Sequence, residues 1–480
     1  MPIDFFADYR MTINGSLETA DASFDTFNPA TEEVLARVPD ARRDQLDAAV
    51  AAAKAAFPVW SARPLSERQA MVAAIGDAIE KHAEDFKRLL TLEQGKARAG
   101  AEWEIGGSVI WCREIATQSL PDLLVEDSEA RRVETRHVPL GVIGGITPWN
   151  FPVLLAIWKV APALVAGNTM VLKPSPFTPL CTLKLGELCR DILPPGVLNI
   201  VSGGNDLGAW LTAHPDVRKI SFTGSTATGR HIMAAASGNL KRVTLELGGN
   251  DPAIVLPDVD VKATARELFW AAFQNSAQFC VAAKRLYIHA DIYDELAAAL
   301  VDYARTVIVG DGAQQGTDLG PIQNRMQFDK LKNLLADARD QGHRFLLGGD
   351  VPAGKGYFVP VTIIDNPPDD SRVVVEEAFG PVLPLLKFDD IDDVVRRAND
   401  TDYGLAASVW SGDIEKARAI AARIEAGTVW INEIHSFSPH IAFGGHKQSG
   451  IGIENALEGL AEYSNVQTIY TTRRSPGQAA

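Results

Sequence analysis

The chain has 480 residues, of which 46% are hydrophobic and 22% charged, and its net charge is −15. That balance describes a globular protein long enough for two or three domains, and the dispersed acidity argues against a nucleic-acid partner. Apolar runs such as residues 158–166 are interrupted by Lys159 and Pro162, so none offers the roughly 20 residues of a membrane span.

The first 14 residues lack a basic stretch followed by an apolar one, so no secretory signal is expected. Cys112, Cys181, Cys189 and Cys280 form no CxxC pair, and the histidines add no HxxxH. Neither a disulfide framework nor a metal site is expected, and a reducing cytoplasm fits.

Residues 11–39 alternate short apolar runs with turn residues and predict edge strands or hairpins. Apolar residues then recur at helical spacing over 42–57, 65–90 and 99–118. The alternating charges of residues 131–137 (RRVETRH) suggest an exposed β-ribbon. Strands are predicted at 141–146, 169–173, 197–201, 219–222 and 242–247, separated by helices at 154–165, 180–192, 206–212 and 227–237. That alternation implies parallel βαβ units in a doubly wound sheet. After Gly248 and Gly249 it restarts, with strands at 253–255 and 285–289 and helices at 261–273 and 293–306. Residues 248–251 therefore read as a hinge between two α/β lobes. The β-rich tail 463–472 (YSNVQTIYTT) has no obvious local partner.

Residues 273–285 (FQNSAQFCVAAKR) hold Cys280 among amide-bearing and small residues, with Lys284 and Arg285 close behind. A nucleophile needs access and polar surroundings, whereas a structural cysteine sits inert among aliphatics, and local composition by itself favours the buried thiol. Glu246 ends a buried strand, where it is either a general base or the partner of Lys241 or Arg242. Asn150, in PWNFP, is an oxyanion donor or a helix N-cap. Lys173 stands at the carboxyl edge of the sheet, where open α/β folds bind ligands, or else it snorkels to the surface. Residues 222–229 (FTGSTATG) could cradle phosphate at a helix N-terminus or simply cap it.

Taken together, these residues resemble the NAD(P)-dependent aldehyde dehydrogenase superfamily over nearly the whole chain. The likeness rests on TPWNFP, VLKPS, FTGSTATG, LELGGN, the Cys280 segment, EEAFGPV and FGGHKQSGIG in this order. The resemblance implies an α/β fold, with a Rossmann-type cofactor domain (residues 1–120 and 140–248) and an α/β catalytic domain (249–445). A small β oligomerisation arm (121–139 and 463–480) would make a homodimer or homotetramer.

By the same resemblance, Cys280 attacks the aldehyde, Asn150 and the Cys280 N–H hold the oxyanion, and Glu246 activates the water that releases the acid. The cofactor would lie against Ile146, Thr147, Pro148, Trp149, Lys173, Ser175, Phe222, Gly224, Ser225, Gly229, Leu247, Glu377 and Phe379. Glu377 would hold the nicotinamide ribose and Lys173 the adenosine ribose. No catalytic role falls to Lys284 or Arg285, for which structural ion pairing is expected.

Departures from the family pattern are informative. Pro176 stands where many members carry a ribose-binding glutamate, so NAD is expected while NADP stays open. Ala277 replaces the usual glycine, Ile453 an arginine and Ala442 a proline, and Phe279 flanks the nucleophile. Phe151, Leu155 and Trp158 share one helix face and, with Phe279 and Phe443, would line the aldehyde tunnel. No arginine joins them, which favours an aromatic or medium-chain aldehyde over a semialdehyde acid. A CoA-acylating enzyme and a non-catalytic structural member are the alternatives. The first is disfavoured by Glu246, the second by the presence of Cys280, Glu246 and Asn150.

Overall fold

The structure, a computed structural model, describes residues 3–473. Residues 474–480 of the expected arm lie outside them. Two large sheets form the frame. The first runs, edge to edge, Ser16–Glu18, Met11–Ile13, Leu198–Ile200, Thr169–Lys173, Val142–Ile146, Val217–Thr223, Arg242–Glu246 and Gly450–Ile451. Its five inner strands are parallel and its outer pairings antiparallel. Parallel strands are covered on both faces by their crossover helices, which is why Val142–Ile146 and Thr169–Lys173 are buried throughout.

Chain order reverses between Val142–Ile146 and Val217–Thr223. The chain passes from the first strand to Thr169–Lys173 and Leu198–Ile200 on one side, then returns to build the other. A crevice opens at the carboxyl ends of strands at such a switch point. Here it is bounded by the segments that begin at Thr147 and Gly224.

The second sheet follows after only four residues. Asp251–Val255 pairs in parallel with Ala283–His289 on one side and Ala406–Trp410 on the other. Val382–Phe388, Thr362–Asp365 and Arg344–Leu347 extend it one way and Thr428–Ile431 the other. The hinge expected at 248–251 is the link between the two sheets.

Local boundaries depart from expectation at several elements, the helix over 42–57 running on to Ser61 and that over 99–118 ending at Ile115. The helical run 65–90 is two helices, Leu65–Lys81 and Ala83–Gln94, broken at His82 with φ −110° and ψ 21°. The helix expected over 180–192 ends at Cys189. The tail strand is not without a partner. Ser464–Thr472 pairs antiparallel with Arg131–Pro139 over nine residues, and Leu123–Asp127 completes a three-stranded sheet. The ribbon and the tail thus pair with one another in the same chain, and the free edge is Leu123–Asp127. Exposed Leu123, Leu124, Val125, Val466 and Tyr470 lie on this sheet.

Candidate active site

Cys280 follows a strained turn. Asn275, Ser276 and Ala277 all have positive φ, at 54°, 54° and 57°, a left-handed conformation that L-residues enter at a penalty. Tertiary hydrogen bonds hold them there. Ser276 Oγ donates to the Gly320 carbonyl at 2.7 Å, and Gln278 Nε2 donates to the Asn275 and Pro321 carbonyls at 3.0 and 3.2 Å. The Gln323 N–H donates to Gln278 Oε1 at 2.8 Å. The turn brings Cys280 to a narrow apolar cavity that is also lined by Phe151, Leu155, Trp158, Phe279, Phe443 and Glu246.

All five residues expected to line an aldehyde tunnel therefore share one cavity with the expected nucleophile and base. Phe151 and Phe279 have ring centroids 4.6 Å apart, and Trp158 meets Phe443 at 5.7 Å. Trp103, Trp111, Leu154, Val281, Thr223 and Phe437 complete the lining. The sequence reading missed these because Trp103 and Trp111 come from the helix Arg98–Ile115 and Phe437 from a loop after the second sheet. The spacing of Trp103 and Trp111, eight residues apart on one helix face, was the available signal.

Burial pushes the Cys280 thiol up to about 12, opposed by the charge of Lys284. The residue as a whole is only half-buried, yet its sulfur faces a narrow apolar cavity rather than bulk water. Glu246 is 5% exposed, and neither of its carboxylate oxygens has a hydrogen-bond donor among the described residues. Burial holds it well above the usual carboxylate range, helped by Glu454 and opposed by Lys159. A carboxylate so placed is a strong base toward a water that reaches it. Its expected alternative partners are engaged elsewhere, Lys241 on the Thr212 and His214 carbonyls and Arg242 on Asn465.

Asn150 is not an N-cap. Its Nδ2 donates to the Gln278 carbonyl at 3.1 Å, two residues before Cys280. The cap of the helix Pro152–Val165 is supplied by Glu104, whose Oε1 accepts from the Val153 and Leu154 N–H groups at 2.8 and 3.3 Å. Lys96 completes the anchor. Its Nζ lies 2.5 Å from Glu104 and 2.8 Å from the Asn150 carbonyl, over the Phe151 ring at 3.9 Å. Lys96 and Glu104 are both fully buried. Neither residue stood out in the sequence.

The remaining expected residues gather at the switch-point crevice. Lys173 is 4% exposed, so it does not snorkel, and burial lowers its ammonium to about 8. Its hydrogen bond among the described residues is to the Pro174 carbonyl at 3.2 Å, which leaves donors for a polyol. Ser225 caps the helix Thr226–Ala236 by accepting from the Thr228 N–H, which leaves the Thr226 and Ala227 N–H groups without an intrahelical partner at the helix N-terminus. Ile146 and Thr147 are buried, and the Thr147 N–H donates to the Lys173 carbonyl. Pro148 and Trp149 follow in the same turn, where Trp149 packs edge-on to Phe379 at 5.2 Å. Ser175 accepts from the Phe177 N–H.

Small residues are required at the crevice. A Cβ on Gly224 would sit 2.4 Å from the Phe222 ring, and one on Gly229 would sit 2.6 Å from Leu247. Glu377 accepts from the Gly249 N–H at 3.1 Å, and a Cβ on Gly248 would stand 2.5 Å from its other oxygen. Arg285 is spent on main-chain carbonyls of Asn250, Arg397 and Ala398. Lys284 makes the expected ion pair, with Glu377 at 3.5 Å, and its Nζ also donates to the Cys280 carbonyl at 2.5 Å. Among the described residues no cluster of side chains could hold a metal ion, and no helix is long and apolar enough to cross a membrane.

The sequence profile of the aldehyde dehydrogenase family matches residues 17–469. Aldehyde dehydrogenase LUC3 of a Fusarium species is 40% identical over 97% of this chain and 99% of its own. Phenylacetaldehyde dehydrogenase of Pseudomonas fluorescens is 39% identical over 96% and 95%. The NAD+ complex structure of aldehyde dehydrogenase from Bacillus cereus superposes with a TM-score of 0.96 at 38% identity, covering 98% of both chains.

Proposed function

The chain belongs to the aldehyde dehydrogenase family, and from that premise we propose that it oxidises an apolar aldehyde, aromatic or medium-chain aliphatic, to the free acid with NAD. One observation carries the reading. Cys280 and Glu246 line the same aromatic cavity, with Asn150 tied to the segment that bears the nucleophile.

The crevice fits a dinucleotide. Lys173 offers buried donors to the adenosine ribose, and the N-terminus of Thr226–Ala236 with Ser225 suits the pyrophosphate. Glu377 suits the second ribose, with Trp149 and Phe379 beside it. Bound there, NAD supplies the hydride acceptor. Pro176 leaves no carboxylate after Lys173 and Ser175, so NADP is a second cofactor to test.

The chain's own residues then act in order. The Cys280 thiol gives up its proton to solvent, its thiolate Sγ adds to the aldehyde carbon, and the Asn150 amide with the Cys280 N–H stabilises the oxyanion. Loss of hydride from that thiohemiacetal leaves an acyl thioester on Cys280. Glu246 takes a proton from water, which attacks the thioester, expels the thiol and releases the acid. The aromatic lining carries no arginine to hold a substrate carboxylate, which supports an apolar substrate.

We also propose a cytoplasmic homo-oligomer. The free edge Leu123–Asp127 and its exposed apolar residues support a contact with a second copy, and the free thiols suit a reducing compartment. Light scattering measures the assembly. Cys280→Ala tests the chemistry: aldehyde oxidation is lost while NAD binding remains, and retained oxidation refutes the nucleophile. kcat/KM for benzaldehyde, phenylacetaldehyde, hexanal and succinic semialdehyde, each with NAD and NADP, tests the substrate. A preference for the semialdehyde refutes the apolar assignment.

A further inference from the structure

Lys284 occupies a position that the reaction described above leaves without a task. It is 6% exposed, and a buried ammonium needs partners. Its partners are the main chain of the nucleophile, at 2.5 Å from the Cys280 carbonyl, and the carboxylate of Glu377, at 3.5 Å. One side chain thus bridges the residue that attacks the aldehyde and the residue proposed to hold the nicotinamide ribose.

The charges that face the Cys280 thiol come from several elements. Asp251 opens the strand Asp251–Val255, Glu377 precedes Val382–Phe388 and Glu246 ends Arg242–Glu246. All three are acidic and hold the thiol up, whereas Lys284 lowers it. His435 approaches from the loop after Thr428–Ile431, with its ring 4.6 Å from Phe279 and Nε2 3.2 Å from the Val281 carbonyl. Burial lowers His435 to about 3, so it stays neutral and adds no cation. Asp251 is 2% exposed. Burial raises it to about 7, with Lys284 the largest opposing influence. The single ammonium is therefore divided between two carboxyls and the thiol.

We infer that Lys284 is a positioning residue that couples cofactor occupancy to the reactivity of Cys280. When Glu377 turns to a ribose, Lys284 loses that claim on its charge, and its field acts on the nucleophile it already touches. The inference rests on the proposed role of Glu377. It goes beyond the family resemblance, which gives Lys284 no part in the chemistry.

The test is alkylation of Cys280 by iodoacetamide in the full-length protein, followed by peptide mass from pH 6 to 10, with and without saturating NAD. Below the thiol pKa alkylation rises with pH as the thiolate fraction grows, and removing a cation raises that pKa, so the rate at each pH falls. An opposite charge within several ångströms shifts a pKa by about one unit or more. Lys284→Met should therefore alkylate about tenfold more slowly near pH 8, and NAD should no longer shift its profile. Lys284→Arg, which keeps the charge, should restore both. Glu377→Gln provides a second reading that leaves Lys284 in place, and without NAD it should match the NAD-bound wild type. If Lys284→Met keeps the wild-type profile under both conditions, or Glu377→Gln matches the NAD-free wild type, the inference is overturned. Failure of the proposed function would look different, because Cys280→Ala would then still oxidise aldehydes.

Discussion

The anchor beneath Asn150 makes a quantitative prediction. Lys96 donates to the Asn150 carbonyl at 2.8 Å and pairs with Glu104 at 2.5 Å, while Glu104 caps the helix that follows Asn150. Lys96→Met removes the donor but leaves Glu104 buried without its cation, a defect on the order of 3–5 kcal/mol in stability. Adding Glu104→Gln removes the uncompensated charge and should recover most of that loss. Activity should not recover with it. Deleting an oxyanion donor lowers kcat by about 10²–10³-fold, and a misplacement of about 1 Å costs on the order of 10²-fold. Lys96→Met, alone or with Glu104→Gln, is therefore expected to lower kcat by roughly 10- to 100-fold, with aldehyde KM little changed. The decisive measurement is a cycle with Asn150→Ala. If Lys96 acts through Asn150, the double variant has the kcat of Asn150→Ala alone. Losses that multiply, or a folded Lys96→Met with wild-type kcat, would refute the reasoning.

Three further outcomes are expected. Burial holds Lys173 at about 8, so the ammonium proposed to hold the ribose is lost as pH rises through that value. KM for NAD should climb above about pH 8, and Lys173→Met should show a high KM with no such rise. Ala277 sits at φ 57°, where the left-handed penalty of about 1–2 kcal/mol exceeds the roughly 0.5–1 kcal/mol by which glycine loosens the unfolded chain. Ala277→Gly should gain about 0.5 kcal/mol in urea unfolding, and destabilisation would contradict the strain. Phe279 is 6% exposed and packs on Phe151 at 4.6 Å. Phe279→Ala should cut kcat/KM for benzaldehyde about tenfold or more relative to hexanal, and an unchanged ratio would remove Phe279 from the substrate wall.

Much of this frame is legible in the residues because parallel βα units are locally encoded. TMVLK and its relatives are continuous apolar runs bounded by turns, and the strand Thr169–Lys173 and helix Val261–Phe273 fall where periodicity puts them. What was misread depends on distant chain. The tail Ser464–Thr472 lacks a neighbour in sequence because its partner lies more than 300 residues earlier. His82 breaks a helical run that remains periodic on both sides, so the pattern alone could not show two helices. The three left-handed residues before Cys280 are held by Gly320, Pro321 and Gln323, none of them nearby in sequence.

The charged residues give a more general lesson. Lys159 interrupts an apolar helix, and its sequence role was to exclude a membrane span. In the folded chain it is 1% exposed and pairs at 2.9 Å with Glu454, which is equally buried. Lys96 meets Glu104, and Lys284 meets Glu377. A lysine is almost never fully buried without a partner, so a charge inside an apolar element announces a partner that the sequence does not name, an acidic side chain in these three cases and main-chain carbonyls for Lys173 and Lys241. Three such pairs touch the site: Lys96 at Asn150, Lys159 within the field of Glu246, and Lys284 at Cys280. The resemblance named the residues proposed to meet the substrate, whereas the residues that hold and tune them are marked by buried charge. Lys284 belongs to that second group.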